Sequence, residues 1–171
     1  AASDSGGTLY DPRGIDVDEL TKTKSQSGSV TNFGSGEKLM NAQLFGVECD
    51  ILVPAARPDC IHADNVNEIK AKLILQGANI PATAETERIL HERGVLNVPD
   101  FICNAGGVMC AAVEYHGGTE KAAFEDIRDK IMRNTREVLT RSRDNKTTPR
   151  EAAVELAKER VVAAMQLRTT T

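Results

Sequence analysis

Asp50-Ile51-Leu52-Val53-Pro54-Ala55-Ala56 is the stretch on which the fold turns. Its apolar run is too short for a helix, and a proline followed by two alanines ends it. A strand stopped in this way reads as a buried parallel strand whose carboxyl end opens on a crevice. Downstream the pattern recurs. Leu73-Ile74-Leu75 forms a second such strand and ends in Gln76-Gly77-Ala78-Asn79, and Val95-Leu96-Asn97-Val98 forms a third, stopped by Pro99. Between these two, Thr83 caps a helix whose Ile89 and Leu90 face inward and which Gly94 ends. A short polar helix around residues 63–69 fills the other gap. Strand and helix alternating at this spacing predict a parallel sheet with helices on both faces.

Working outward, Ala1-Ala2-Ser3-Asp4 reads as the end of a further strand running into the turn Ser5-Gly6-Gly7, with loop from there through Gly14. Asp16 caps a helix with Glu19 at the capping-box position, Leu20 as its apolar anchor and Gly28 as its stop. Residues 25–36 are polar loop or an irregular hairpin, and 37–45 a short helix. Beyond the sheet, 103–115 is helical and starts at Asn104-Ala105-Gly106-Gly107. Residues 120–142 form a long amphipathic helix with Phe124, Ile127, Ile131, Thr135 and Val138 near helical spacing. Pro149 begins a last helix carrying Ala152, Leu156, Val161, Ala164 and Met165, and Thr169 to Thr171 fray. A chain seldom begins with a strand already finishing. The expected class is therefore α/β: an incomplete, doubly wound, Rossmann-like parallel sheet with a helical C-terminal tail. Residues 1–115 would be the partial dinucleotide-binding domain and 116–171 the helical extension packing on it.

Composition narrows the partners. The 171 residues suffice for one domain with a core. The 21 basic and 25 acidic residues are interspersed, leaving a formal charge of −4 and no basic stripe to follow a phosphate backbone, so nucleic acid is excluded as the expected partner. No apolar run is long enough for a membrane span, and no secretory leader is visible. The four cysteines form no CxxC pair and the three histidines are scattered, so no metal site is expected and a reducing, cytoplasmic setting fits.

In a doubly wound sheet the carboxyl ends of the strands face the ligand, which singles out four places. Asp4, closing a strand, is placed to accept hydrogen bonds from ribose hydroxyls, and reads equally as the acid of an ordinary turn. Ala55 and Ala56 let a flat ligand approach the backbone, or simply end a strand tightly. Asn79 and Asn104 each set an amide, both donor and acceptor, among small residues just past a strand. That chemistry matches the carboxamide or ribose of a nicotinamide nucleotide. Gly106 and Gly107 at a helix start disfavour the helix by about 0.5–1 kcal/mol each relative to alanine. Close approach of a cofactor or of a second helix would account for them.

Five stretches taken in order carry a resemblance. Ser3-Asp4-Ser5-Gly6, residues 50–56, Gly77-Ala78-Asn79, Val98-Pro99-Asp100 and Asn104-Ala105-Gly106-Gly107-Val108 resemble the cofactor domain of the glutamate, leucine, phenylalanine and valine dehydrogenases over residues 1–168. The resemblance implies oxidative deamination of an L-amino acid to a 2-oxo acid and ammonia, with the Cα hydride passing to NAD or NADP. NAD is preferred on the negative charge of Asp4. By the same resemblance Asp4 and Ser5 lie near the adenosine ribose, Ala55 and Ala56 line the cofactor cleft, and Asn79 and Asn104 serve the nicotinamide side. Gly107, Val108 and Ala111 border the substrate. It also implies homo-oligomers in the parent protein. Three departures qualify it. The chain holds no GxGxxG turn, which would bind pyrophosphate. No lysine or aspartate matches the family's catalytic pair, so no catalytic residue is expected in this chain, and an N-terminal catalytic domain would be missing. Ala111 stands where glutamate-specific members carry serine, so the substrate is less polar than glutamate or the absent domain reads it. The chain alone is expected to be inactive. The competing reading is a stand-alone nucleotide-binding or regulatory module.

Overall fold

The computed structural model describes residues 1–168, so the frayed end expected at Thr169 to Thr171 lies outside the described residues. The chain divides into two compact units, one of Ala1–Asp50 with Ala63–Ala71, the other of Ile51–His62 with the chain from Lys72 onward.

The first unit is built on an antiparallel hairpin. Strands β1 (Ala2–Asp4) and β2 (Gly7–Tyr10) pair across the turn, and β3 (Glu37–Leu39) adds to β2 in the order β1-β2-β3. This corrects two expectations. Residues 7–10 are strand where loop was expected, because they pair with β1 on one side and β3 on the other, with Thr8 and Leu9 buried. Residues 37–45 are strand followed by a 3₁₀ turn, Asn41–Gly46, where a helix was expected. Pairing with β2 overrides the local preference there. Helix α1 (Val17–Ser27) lies within its predicted limits. The Asp16 carboxylate accepts the Glu19 amide at 2.9 Å, and Gly28 closes the helix in the left-handed region at φ 82°. No residue of α1 is fully buried, and Leu20 is only half-buried. The loop at 25–36 contains a 3₁₀ turn, Val30–Asn32, and the polar helix around 63–69 shrinks to the 3₁₀ turn Val66–Glu68.

Asp4 holds this unit's elements in register. Its Oδ1 accepts the Gly6 amide at 2.8 Å and the Ser29 hydroxyl at 3.0 Å. Its Oδ2 accepts Lys24 Nζ at 2.6 Å and the Val30 amide at 2.8 Å. The Asn41 amide group donates to the Asp4 carbonyl at 2.8 Å. The hairpin, the end of α1 and two 3₁₀ turns are thereby tied to one residue.

The second unit carries the parallel sheet. Strands β4 (Ile51–Leu52), β5 (Leu73–Leu75) and β6 (Leu96–Val98) pair parallel in the order β4-β5-β6. Helix α2 (Ala84–Glu92) makes the crossover from β5 to β6, with Thr83 as its cap and Leu90 fully buried. Ile51 of β4 and Val53 just beyond it are exposed while Leu52 is buried, so the strand expected to be buried on both sides is covered on one. A short helix, α3 (Asp100–Cys103), ends at Asn104, and the helix expected over 103–115 follows it as α4 (Gly106–Tyr115). Helices α5 (Glu120–Asn145) and α6 (Pro149–Arg168) form the tail. Its core is one cluster: Val98 and Ile102 meet Val138 of α5 and Ala152, Ala153 and Leu156 of α6. The alanines let α6 come close. Phe124, Val161 and Met165, expected on the inner stripe, are exposed. The class is thus α/β: the second unit is an open, Rossmann-like arrangement with a helical C-terminal extension, and the first holds a small antiparallel sheet.

Two outcomes follow. Val138→Ala removes two methyls from a fully buried site and should lower unfolding free energy by about 2–3 kcal/mol in a urea melt with unchanged slope, while Phe124→Ala should stay within about 0.5 kcal/mol. The second concerns pH. The bond from Lys24, helped by the Val30 and Gly6 amides and the Ser29 hydroxyl, outweighs burial and holds the Asp4 carboxyl far below its ordinary value of 3.8. A depressed carboxyl stabilises fully above that ordinary value and loses the contribution as pH falls toward the folded one. Protection of the Val30 amide against hydrogen exchange should be flat from neutral pH down to about 5 and decline below about 4, and Asp4→Asn should abolish that dependence.

Candidate functional site

The carboxyl end of the parallel sheet is shaped by backbone first. Pro54 ends β4, and its carbonyl accepts the amides of both Gly77 and Ala78, at 3.1 and 2.9 Å. The two strand ends are thus pulled together. A Cβ placed on Gly77 would stand 3.0 Å from Ala55 Cβ, so a larger residue there would have to push Ala55 back by a few tenths of an ångström. Ala55 and Ala56 are exposed beyond it. The chain then turns through Asn79 to Ile80, whose φ of 47° is in the left-handed region. For a β-branched residue such a conformation is disfavoured by about 1–3 kcal/mol and persists only where neighbours enforce it. Here the Ile80 amide donates to Asp100 Oδ2 at 2.8 Å and the Ile80 carbonyl accepts the Asp59 amide at 2.9 Å.

Asn104 comes to the same place from the end of α3. Its backbone amide bonds the Asp100 carbonyl at 2.7 Å. Its side-chain Nδ2 donates to Asn79 Oδ1 at 2.7 Å and to the Gly77 carbonyl at 3.4 Å. The two asparagines picked out from the sequence therefore form one amide pair. The internal bond uses one donor group and one acceptor. Asn79 Nδ2 and Asn104 Oδ1 remain available to a ligand, and Asn79 is exposed. A free donor beside a free acceptor is the complement of a primary carboxamide.

Helix α4 continues from this point. A Cβ on Gly106 would lie 3.4 Å from Ile127 Cγ2, an ordinary contact, so α5 packs beside this glycine without requiring it. Gly107 has open space around it, and with Val108 and Ala111 it is exposed. Of the glycine pair, Gly106 thus faces α5 and Gly107 faces outward.

Asp4 and Ser5 belong to the first unit. The Asp4 carboxylate has four donors within the chain, whereas Ser5 is exposed. Ser5, Gly6 and Gly7 border an open hollow of about 470 Å³, together with Thr31, Lys38 and Asn41. Among the described residues no group of His, Cys, Asp and Glu could hold a metal ion. None of the described helices is long and apolar enough to cross a membrane.

Sequence reasoning missed the polar cluster beneath the amide pair. The Gln76 side chain is fully buried, and its Nε2 donates to Glu87 Oε1 at 2.6 Å and Asn97 Oδ1 at 3.1 Å. Its Oε1 accepts the Asp100 amide at 3.1 Å. Arg150, in the first turn of α6, binds Glu87 through Nε and Nη2 at 2.6 and 2.8 Å. The same Nη2 reaches Gln76 Oε1 at 3.1 Å and Asp100 Oδ1 at 2.9 Å. Burial opposes the charge on Asp100, and the Ile80 amide and Arg150 outweigh it, so the carboxyl stays below its ordinary range. The available signals were a glutamine ending an apolar strand and an acid after Pro99. Nothing near Arg150 in the sequence marks it.

The family model described as Glutamate/Leucine/Phenylalanine/Valine dehydrogenase matches residues 1–169. A glutamate dehydrogenase of Aeropyrum pernix is 41% identical over 98% of this chain and 43% of its own length. An NAD-specific glutamate dehydrogenase of Staphylococcus aureus is 37% identical over 97% of this chain and 41% of its own. Among solved structures, the hetero-hexameric glutamate dehydrogenase of Thermus thermophilus in its Leu-bound form aligns with a TM-score of 0.81 at 27% identity, covering 95% of this chain and 39% of that one. The glutamate dehydrogenase of Peptoniphilus asaccharolyticus aligns at 0.72 and 29% identity, over 95% and 38%. The chain thus spans about two-fifths of the curated relatives it matches. On the extent of the family match and the identity to these relatives, the chain belongs to the Glutamate/Leucine/Phenylalanine/Valine dehydrogenase family.

Proposed function

We propose that the chain is the later part of the cofactor domain of an NAD(P)-dependent L-amino-acid dehydrogenase. The whole protein would convert an L-amino acid and water to a 2-oxo acid and ammonia. The observation that carries this reading is the Asn79–Asn104 pair, with a donor and an acceptor left open at the carboxyl end of a parallel sheet. The dinucleotide, when bound, takes the hydride and its electron pair from the substrate Cα. Asn79 and Asn104 hold its carboxamide and nicotinamide ribose, and Ala55 and Ala56 lie along it. Ser5 supplies the free hydroxyl on the adenosine side, while Asp4 shapes the turn that presents it. Gly107, Val108 and Ala111 border the substrate. Residues 1–115 form the cofactor part and 116–171 the helical extension.

The proton-transfer groups and the pyrophosphate turn belong to the N-terminal part of the parent protein, by the family resemblance. The exposed apolar residues of β4 and α6 fit a chain that continues elsewhere. The parent is an oligomer, as the Thermus thermophilus relative is. Four cysteines, none in a disulfide among the described residues, suit a reducing cytoplasm. NAD is the preferred cofactor, on the NAD-specific Staphylococcus aureus relative. The charge of Asp4 no longer supports that preference, because Lys24 pairs it.

The 171 residues alone should show no turnover and only very weak binding of NAD or NADP by calorimetry; low-micromolar affinity for either would overturn the incomplete-site reading and favour a stand-alone binding module. In the full-length protein, kcat/KM should be higher with NAD than with NADP, and a reversed order would refute the cofactor assignment. Ala111 lacks a hydroxyl on the exposed side of α4. Ala111→Ser should raise kcat/KM for glutamate relative to leucine by about tenfold, the worth of one added hydrogen bond. A strong glutamate preference already present with Ala111 would remove the less polar substrate from consideration.

A further inference from the structure

The polar cluster under the amide pair is larger than a helix needs for docking. Leu156, Ala152 and Ala153 already seat α6 on an apolar core. Arg150 adds four hydrogen bonds to three side chains drawn from the end of β5, from α2 and from α3. Two of these partners, Gln76 and Asp100, are in turn linked to the segments that carry the asparagine pair. Gln76 precedes the Gly77-Ala78-Asn79 turn and accepts the Asp100 amide. Asp100 fixes the left-handed Ile80, directly after Asn79, with one carboxylate oxygen, and gives the other to Arg150. The Asp100 carbonyl receives the Asn104 amide. Asp100 therefore touches the backbone on both sides of the Asn79–Asn104 bond, and Arg150 holds Asp100. The Arg150 guanidinium also packs over the Phe101 ring at 5.5 Å, which fixes its plane.

We propose that Arg150 is a positioning residue for the amide pair, acting through Asp100 and Gln76, so that the first turn of the last helix sets where the nicotinamide-side asparagines stand. Its consequence for hydride transfer rests on the dehydrogenase reading; its effect on the pair does not. Lysine at 150 keeps the charge and loses the planar fork that serves three partners at once. The Asp100 carboxylate then loses its fixed orientation, and Ile80 loses the acceptor that holds its φ.

Hydrogen exchange in the cofactor-free 171-residue protein tests the first half. Arg150→Lys should speed exchange of the Ile80 amide at least tenfold more than exchange of the buried α5 amides around Val138. Equal acceleration at both places would mean a general loss of stability and would overturn the proposal, as would no change at Ile80. Should Arg150→Lys fail to fold, Asp100→Asn, which keeps the shape and weakens the same link, must give the same selective acceleration; a uniform response overturns it. Kinetics of the full-length protein test the second half. With an amino-acid substrate deuterated at Cα, Arg150→Lys should lower kcat by about 10- to 100-fold, the scale of a small misplacement, and enlarge the primary isotope effect. Arg160→Gln, which removes exposed bonds to Asn134 and Glu137, should leave the isotope effect unchanged. An isotope effect in Arg150→Lys equal to that of the wild type overturns the positioning role in transfer. Absence of dinucleotide-dependent turnover in the wild type overturns the dehydrogenase reading, and the exchange result stands apart from it.

Discussion

The bond between Arg150 and Asp100, 2.9 Å long and largely sheltered from solvent, is the constraint on which the second unit depends. Glu87 and Asp100 bring two carboxylates to the carboxyl end of a three-stranded sheet, and Arg150 is the cation that faces both. Losing one member of such a buried set leaves a charge without its partner, which destabilises by about 3–5 kcal/mol. Hydrophobic packing could dock α6 more cheaply. It could not aim the peptide groups of residues 77–80, because aliphatic side chains have no directional bond to a backbone amide. The polar cluster supplies direction where the apolar cluster of Val98, Val138 and Leu156 supplies adhesion.

The first unit solves a similar problem with one acid. Asp4 ends a strand of only three residues, and a two-stranded hairpin of that size has little stability by itself. Four donors converge on its carboxylate from the turn, from α1 and from the Ser29–Val30 segment. The acid is therefore filled before any ligand arrives. Its physical effect is to hold Ser5, Gly6 and Gly7 in a fixed loop whose exposed hydroxyl is the part still free to bond.

The sequence displayed this division unevenly. Short apolar runs ended by Pro54, Asn79 and Pro99 marked the parallel strands, since period and punctuation are local properties. The caps Asp16 and Thr83 and the stop Gly28 were legible for the same reason. The amide pair was visible as two separate residues, each next to glycines, and their 2.7 Å bond is what the fold adds. Residues 7–10 and 37–39 were missed as strands because only their mutual pairing makes them so. Arg150 lies 74 residues from Gln76 and 63 from Glu87. An arginine after a helix-initiating proline looks like any solvated residue until the tertiary fold buries its head group.

The exposure of Asn79 beside a buried scaffold has its own logic. A buried amide with an open donor or acceptor would forfeit about 1–3 kcal/mol of hydration. At the surface, water fills those positions and the penalty largely disappears. The bond from Asn104 to Asn79 restricts both side-chain rotamers, so the remaining donor and acceptor already point in set directions when a ligand replaces the water. The ordering entropy has then been met by the fold and is not charged against binding. This arrangement works only if the backbone beneath is rigid, which is why the charged residues are placed below the pair and the neutral amides on top. Under the proposed function, a charge at the position of Asn79 would over-hold a neutral carboxamide, whereas the neutral amide would let it leave.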